Sequence, residues 1–112
     1  MANTFKNVGV VVTATGAIAS GNKTNIYTAT TQTVFHALYL ANVDTINDVS
    51  VSLAISKDGG TTWFHLAKEA LISKKTTLIL DKPINLEASD ILAATATATN
   101  DVQVVGALLE IS

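Results

Sequence analysis

The 112-residue sequence contains no cysteine, no arginine and a single proline. Without cysteine, neither a disulfide bond nor a thiolate metal site can form. Without arginine, the chain lacks the side chain that clamps phosphates and carboxylates with two parallel hydrogen bonds. Charged residues make up only 14% of the sequence and the formal net charge is −2, so the basic stripe of a nucleic-acid-binding protein is missing. We therefore expect no nucleic-acid partner.

Long apolar runs are also missing. The run at residues 8–12, VGVVV, is interrupted by glycine and followed by threonines, far short of the ~20 apolar residues of a membrane-spanning helix. Residues 1–7, MANTFKN, lack the basic region and the apolar run of a signal peptide. We expect no membrane association, and synthesis in a host cytoplasm.

The clearest pattern that is present lies in Val49–Ser56, where four large apolar residues alternate with serine and alanine. This period of two puts the large residues on one face of a β-strand. The turn residues KDGG follow at 57–60, and the chain then returns, which predicts a β-hairpin. Similar patterns predict strands at 8–15, 25–29, 33–42, 49–56, 62–67, 76–80, 84–86, 91–99 and 102–111. Only residues 66–72 could form a short helical turn.

About eight short strands with turn residues between them predict a single all-β domain. We expect an antiparallel β-sandwich, either jelly-roll-like or immunoglobulin-like. Val102–Ile111 is apolar on both faces, and such a strand is usually buried on both. One explanation is a well-filled core with a serine and threonine surface. The explanation that we favour is that neighbouring subunits cover part of the sheet surface, because exposed apolar strands tend to associate.

The segment 56–63, SKDGGTTW, matches the Asp-box pattern S-x-D-x-G-x-T-W at every defined position. It resembles hairpin turns of sialidase propellers and other β proteins, in which the aspartate accepts backbone N–H groups and the aromatic residue packs beneath. Asp and Gly are typical of such turns because Asp mimics a turn hydrogen bond and Gly adopts positive φ. One copy cannot build a propeller, and sialidases hold their substrate carboxylate with arginines. We interpret the motif as a structural turn.

No residue pattern indicates catalysis, a cofactor or a metal. His36 is in phase with Val34 and Leu38, which predicts a position at the edge of the core, whereas His65 is predicted to be exposed. Two histidines without matching carboxylates do not make a zinc site. The six aspartates fall in predicted turns without the spacing of a calcium loop, and no serine has the context of a nucleophile elbow. We therefore predict no catalytic, cofactor-binding or metal-binding residues. A small hydrolase stays open as an alternative, which would need a cleft with two close carboxylates or a Ser-His pair.

The aromatic residues leave a second function open. Trp63, Tyr27 and Tyr39 could form a flat platform for a sugar, as in carbohydrate-binding β-sandwiches, if the fold brought them to one face. Such a module would belong to a fibre or a secreted enzyme. Aromatic residues make up only 5% of the chain, and the simpler interpretation is that these three are core or interface anchors.

Several segments follow one another in a characteristic order: 26–28 (IYT), 34–42 (VFHALYLAN), the alternation at 49–55, the strand at 78–80, 86–92 (LEASDIL) with Ala-Thr repeats after it, and the terminal strand at 102–111. This layout resembles small β-sandwich proteins from the virions of tailed bacteriophages. The most specific segment is 86–92. In those proteins a glycine usually precedes the aspartate, where this chain has Ser89, and Pro-Ala-Gly usually precedes the sixth strand, where it has Ser73-Lys74-Lys75.

The resemblance implies a virion component, such as a decoration or cement protein of the head or a neck, tail or fibre subunit. Such proteins have no catalytic residues and bind their neighbours as trimers or rings. We accordingly expect a homo-oligomer, with a trimer favoured, that also contacts the major capsid protein or a tail or neck protein. Residues 1–24 would be an arm or added strand that pairs with an adjacent subunit, and residues 25–112 the sandwich domain.

Overall fold

A computed structural model describes residues 3–111. Across these residues the chain forms nine β-strands and no helix. The strands are β1 (Asn3–Val11), β2 (Thr24–Thr28), β3 (Gln32–Asn42), β4 (Val49–Ser56), β5 (Trp63–Ile72), β6 (Thr77–Leu80), β7 (Ile84–Leu86), β8 (Ile91–Ala96) and β9 (Val102–Ile111).

The strands form two antiparallel sheets that pack as a sandwich, as the sequence predicts. The five-stranded sheet has the order β1-β9-β3-β6, with β7 also paired to β3, and the four-stranded sheet has the order β2-β8-β4-β5. β6 pairs with residues 38–41 and β7 with residues 33–35, so these two short strands occupy one position beside β3. Pro83 lies in the break between them, because proline cannot donate to a sheet ladder. The chain crosses between the sheets at every connection except β4–β5 and β6–β7.

The core lies between the inner faces of the two sheets. Its largest fully buried side chains are Phe35, Leu38, Leu40, Leu53, Leu86, Leu92, Leu108, Val12, Val49, Val51, Val102 and Val104. The alternation of Val49–Ser56 is confirmed, because its valines and leucine face this core. Each large side chain of this kind stabilises the fold by about 1.5–3 kcal/mol when it leaves water.

A β-bulge in β3 changes which side chains face the core. The register between β3 and β9 shifts between Phe35 and Ala37. A bulge inserts one extra residue, so the sides reverse at that point. Phe35 and Leu38 are therefore both fully buried, while His36 is exposed. The prediction that His36 lies at the edge of the core is wrong for this reason.

The outer face of β8 is covered by the chain segment at 12–23. The N–H of Ala96 donates to the carbonyl of Ala14 at 3.1 Å, and the hydroxyl of Thr95 donates to the carbonyl of Gly16 at 2.6 Å. This segment covers the outward-facing residues of β8 and the core covers the others, so all six residues of the strand are buried. This segment follows β1, which ends at Val11, so the predicted strand at 8–15 is placed too late in the chain.

β5 is longer than predicted. The residues that could have formed a helical turn, 66–72, are extended and pair with β4. Register shifts near Leu53 interrupt this pairing, and Glu69 has a positive φ of 53° within the irregular part. The N–H of Glu69 donates to the hydroxyl of Ser52 at 3.0 Å, which holds the irregularity in place. The prediction of a helical turn is wrong because pairing with β4 outweighs a weak local preference.

β1 adds a strand to the chain's own five-stranded sheet. It pairs with β9 along its whole length, from Asn3 opposite Ile111 to Val11 opposite Gln103. Val12, which follows it, is fully buried. The division into an arm at 1–24 and a sandwich at 25–112 stays a prediction, as does the pairing of that arm with an adjacent subunit.

The two departures from the phage-protein pattern lie at positive φ. Ser89 has a φ of 78°, and Lys75 has a φ of 61° in the turn between β5 and β6. Both positions are those at which the similar proteins usually carry glycine. Glycine suits them because a side chain on the α-carbon is strained in the left-handed region. At Lys75 and Ser89 the backbone thus has the left-handed conformation that glycine would adopt without strain.

We expect Ser89→Gly to raise the free energy of unfolding by about 0.5 kcal/mol, and Lys75→Gly to act similarly. The left-handed conformation costs an L-residue about 1–2 kcal/mol, and glycine removes this cost. Glycine also gives the unfolded chain more conformational freedom, which favours unfolding by about 0.5–1 kcal/mol and cancels part of the gain. Urea unfolding of each variant measures the change. Ala88→Gly, in the same turn but without positive φ, is the control and should destabilise. Equal destabilisation by Ser89→Gly and Ala88→Gly would contradict the explanation.

Candidate interaction surfaces

The Asp-box segment forms the predicted structural turn between β4 and β5. Asp58 Oδ1 accepts hydrogen bonds from the N–H groups of Thr61 (3.2 Å) and Thr62 (2.9 Å). The hydroxyl of Ser56 accepts the N–H of Gly60 at 2.8 Å. The indole Nε1 of Trp63 donates to the carbonyl of Gly60 at 3.1 Å, so the ring folds back on the turn. Each defined residue of the motif thus shapes the hairpin: Ser56, Asp58, Thr62 and Trp63 by hydrogen bonds, and Gly60 by its positive φ of 103°.

Hydrogen bonds from the turn lower the pKa of Asp58 to about 2, from an ordinary value of 3.8. The backbone N–H of Thr62 has the largest effect, followed by the hydroxyls of Thr62 and Ser56. Because the pKa in the folded protein is depressed, the charged carboxylate stabilises the fold above about pH 4. That stabilisation is lost as the pH falls through about 2.

We expect Asp58→Asn to lower the melting temperature near pH 6. The difference in melting temperature between the variant and the unchanged protein should shrink between about pH 4 and pH 2. The variant lacks the negative charge of the acceptor, and acid removes the same charge from Asp58 by protonating it. Thermal unfolding followed by circular dichroism at several pH values measures the gap. Asp81→Asn removes an exposed loop carboxylate and is the matched control. A gap for Asp58→Asn that stays constant down to pH 2 would refute this role for the carboxylate.

A cluster of charged residues connects this hairpin to the turn between β7 and β8. Lys57 Nζ lies 2.6 Å from Glu87 Oε1 and 3.0 Å from Asp90 Oδ2. The hydrogen bond to Glu87, then that to Asp90, raises the pKa of Lys57. Asp90 is buried and also accepts the N–H of Glu87 at 2.9 Å. The cluster joins neighbouring turns, and its charged groups satisfy one another.

The structure does not bring the three candidate sugar-binding aromatics together. Trp63 folds back on its own hairpin turn. Tyr27 packs edge-on against Phe35 at a ring-centroid distance of 5.6 Å, and its hydroxyl donates to Glu110. Tyr39 lies on β3, paired with Val105, and is exposed. The three rings thus lie at three different places and form no common platform.

His65 is exposed, as predicted, and lines a groove of about 280 Å³ on the outer face of the four-stranded sheet. The floor includes Ser52 and Thr95, and the opposite wall is the covering segment at Gly16 and Ala17. Both floor hydroxyls already bond to backbone groups, that of Ser52 to Glu69 and that of Thr95 to Gly16. No group of three or more metal-ligating side chains occurs in residues 3–111. The exposed side chains of His65, Lys68 and Glu69 also line the groove, so polar groups remain there beside the two engaged hydroxyls.

The outer face of the five-stranded sheet is the most unusual surface of the described chain. Its strands contain only two charged residues, Lys6 and Glu110. These pair with each other at 3.0 Å, and the hydroxyl of Tyr27 from the opposite sheet also bonds Glu110. These bonds, led by that from Tyr27, lower the pKa of Glu110. Both charged residues thus lie at the inner side of the sheet, and no charged side chain of these strands is left for the outer side.

Large apolar side chains project from this outer side, which we call the uncharged face. Its exposed members are Phe5, Val11, Tyr39, Ile79 and Val105. The register aligns Val105 with Gly9 and Tyr39, and Tyr39 with Ile79, so that a row runs across four strands. From a strand spacing of ~4.8 Å and a rise of ~3.3 Å per residue, the whole uncharged face measures about 600 Å². It also carries polar side chains, among them Asn7, Gln32, His36, Thr77 and Gln103, so its apolar part is smaller than this area.

A second exposed apolar patch lies on β5, an edge strand of the four-stranded sheet. Phe64 is 60% exposed and Leu66 44% exposed. We call Phe64 and Leu66 the β5 edge patch; Leu71, which is 66% exposed farther along β5, is separated from them by Lys68 and Glu69. The segment 63–67 that carries the patch, WFHLA, contains no Lys, Asp or Glu. Both this patch and the uncharged face are features that edge strands and sheet surfaces of isolated proteins usually avoid.

No helix within residues 3–111 has the length and apolar character needed to cross a membrane. No protein-family model and no curated protein matches the sequence. Solved structures do share its fold. Two crystal structures of a pentameric capsid protein isolated from metagenomic phage sequences each give a TM-score of 0.55 at 19% identity over 94% of this chain. The chain spans only 60% and 62% of those proteins.

A chain of the T13 IBDV viral particle is similar as well. It gives a TM-score of 0.54 at 13% identity, over 96% of this chain and 30% of that one. Identities this low show a common fold and nothing more. The described chain therefore has an antiparallel sandwich of the kind found in these capsid proteins.

Proposed function

We propose that this protein is a non-enzymatic structural component of a bacteriophage virion. It assembles through strand faces and edges with copies of itself and with a capsid or tail protein, and we favour a decoration or cement protein of the head. The observation that carries the proposal is the uncharged face, about 600 Å² of sheet surface without a charged side chain in a chain of net charge −2. An area of this order approaches the ~800 Å² that each partner contributes to a standard protein interface.

The strand order supports the same proposal. With β6 and β7 counted as one interrupted strand, eight strands lie in two four-stranded layers whose orders are 1-8-3-6 and 2-7-4-5. We infer that this is a jelly roll, an arrangement of two Greek keys that occurs in viral capsid proteins. Two of the similar solved structures are a pentameric capsid protein by name, and the third comes from a viral particle. For this chain we propose a homo-oligomer, with the trimer as the favoured copy number.

The proposal is tested on the protein alone and on particles. The purified chain should form a discrete oligomer by size-exclusion chromatography with light scattering at micromolar concentration. Antibodies against it should label phage particles whose genome encodes it, and mass spectrometry should detect it in those particles. A monomeric chain that is also missing from purified particles would refute the proposal. Genes for virion proteins on either side of its own would support it.

A further inference from the structure

We propose that copies of this chain join head to tail, with the β5 edge patch of one copy seated on the uncharged face of the next. This inference rests on the proposed function and specifies its interface and its partner, a second copy of the same chain. Phe64 and Leu66 would lie over the row that contains Val105, Tyr39 and Ile79.

The positions of the two patches favour a head-to-tail contact. The uncharged face belongs to the five-stranded sheet, and the β5 edge patch belongs to the other sheet, so they are different surfaces of one subunit. Pairing the uncharged faces of two copies would leave Phe64 and Leu66 in water. One head-to-tail contact, repeated around a ring, covers both patches of every copy. Such contacts close into rings such as trimers or pentamers when the rotation between copies allows it.

Charge also selects the β5 edge patch. A surface that docks on the uncharged face must bring no charged group with it, because the face offers no partner and the charge would be buried unpaired. Lys57 and Asp58 precede the segment 63–67, and Lys68 and Glu69 follow it, so the uncharged stretch is bounded on both sides. These flanking charges can remain at the solvent-exposed rim, where interfaces are usually polar.

The opposite edge of the same sheet, β2, is also free of charge but fits the uncharged face less well. Its exposed residues are Asn25 and Thr28, which are polar. Over the row of Val105, Tyr39 and Ile79 their polar groups would meet mainly apolar side chains, which costs free energy. The exposed leucine and phenylalanine of β5 carry no such penalty. Of the two edges, β5 is therefore the one suited to the uncharged face.

The experiment uses one variant of each surface in the full chain. Tyr39→Glu places a carboxylate in the uncharged face, and Phe64→Glu places one in the β5 edge patch; both side chains are exposed. Each variant alone should be a folded monomer, because every contact in its ring would contain a damaged surface. An equimolar mixture should form a 1:1 heterodimer, since an intact face and an intact patch then meet once, and no ring can close. Native mass spectrometry separates these species.

The outcomes distinguish this inference from the proposed function. If Phe64→Glu leaves the oligomer intact while Tyr39→Glu dissociates it, copies pair face to face, and the head-to-tail contact is wrong although assembly stands. If Tyr39→Glu keeps the oligomer but loses attachment to particles, the face binds a different virion protein, and the inference is again wrong. Circular dichroism verifies folding, and Val105→Lys with Leu66→Lys repeats the mixing test if a first variant fails to fold.

Discussion

Replacing Val105 by glutamate is expected to dissociate the proposed oligomer into folded monomers, with an association constant lower by at least about a hundredfold. Val105 lies on β9 between Gly9 of β1 and Tyr39 of β3, near the middle of the uncharged face. Its side chain is half exposed in the single chain and would be covered by a second copy. A carboxylate buried there has no partner, which costs about 3–5 kcal/mol, and each 1.4 kcal/mol is tenfold. Light scattering across a dilution series measures the change.

Ile46→Glu is the matched control for this prediction. Ile46 is 74% exposed in the loop between β3 and β4, away from the uncharged face. It undergoes the same kind of chemical change, from an exposed β-branched residue to glutamate, and should leave the oligomer unaltered. The proposed oligomer should also persist at high salt, because an interface formed by the uncharged face and the β5 edge patch would contain no ion pairs that salt can screen. An oligomer that survives Val105→Glu would show that the uncharged face is not an interface.

Gly106→Ala is expected to destabilise the fold by about 2–3 kcal/mol, the upper part of the range for overpacked cores. A Cβ at this position would lie 2.6 Å from Cε2 of Phe35 and 3.0 Å from Cδ1 of Leu38. Phe35 is fully buried and is held on its other side by Tyr27, so its ring has little room to move. β9 is also paired on both sides, which prevents the backbone from shifting. Urea unfolding measures the loss.

The neighbouring strand supplies a control for this prediction. Gly9, on β1, has no atom closer than 3.9 Å to an added Cβ, so Gly9→Ala should be neutral or slightly stabilising. Phe35→Leu should recover part of the loss when combined with Gly106→Ala, because it removes the atom that the new methyl group meets. If Gly106→Ala and Gly9→Ala had equal effects, the cause would be strand propensity in general and not contact with Phe35.

The strands could be predicted from the sequence because side-chain alternation directly reflects burial on one face. Val49–Ser56 and Val102–Ile111 have the bounds that their patterns predict. The bulge in β3 could not be predicted, since the residues around Phe35 and Ala37 carry no glycine or other local signal for an extra residue. That single insertion reverses the sides of the strand and explains the error for His36.

The Asp-box turn could be predicted because its motif specifies local hydrogen bonds, whereas the uncharged face depends on distant pairing. Only the register shows that Gly9, Val105, Tyr39 and Ile79 form one row. The expectation that Val105, Leu109 and Ile111 require a cover beyond the single chain stays a prediction. The sequence does show that these five strands contain only two charged residues, Lys6 and Glu110. That both side chains point to the inner side of the sheet follows only from the structure, in which Glu110 bonds Lys6 and the hydroxyl of Tyr27.

The position of β9 in the sheet affects when the uncharged face forms during folding. This strand comes last along the described chain but sits in the interior of its sheet, between β1 and β3. Joining β1 to β9 closes a loop across almost the entire polypeptide, and contacts so remote in sequence form slowly. Until that closure, the uncharged face does not exist as a continuous surface. If the uncharged face is the proposed interface, subunits can associate through it only after β9 has paired with β1 and β3, so incompletely folded chains do not present it.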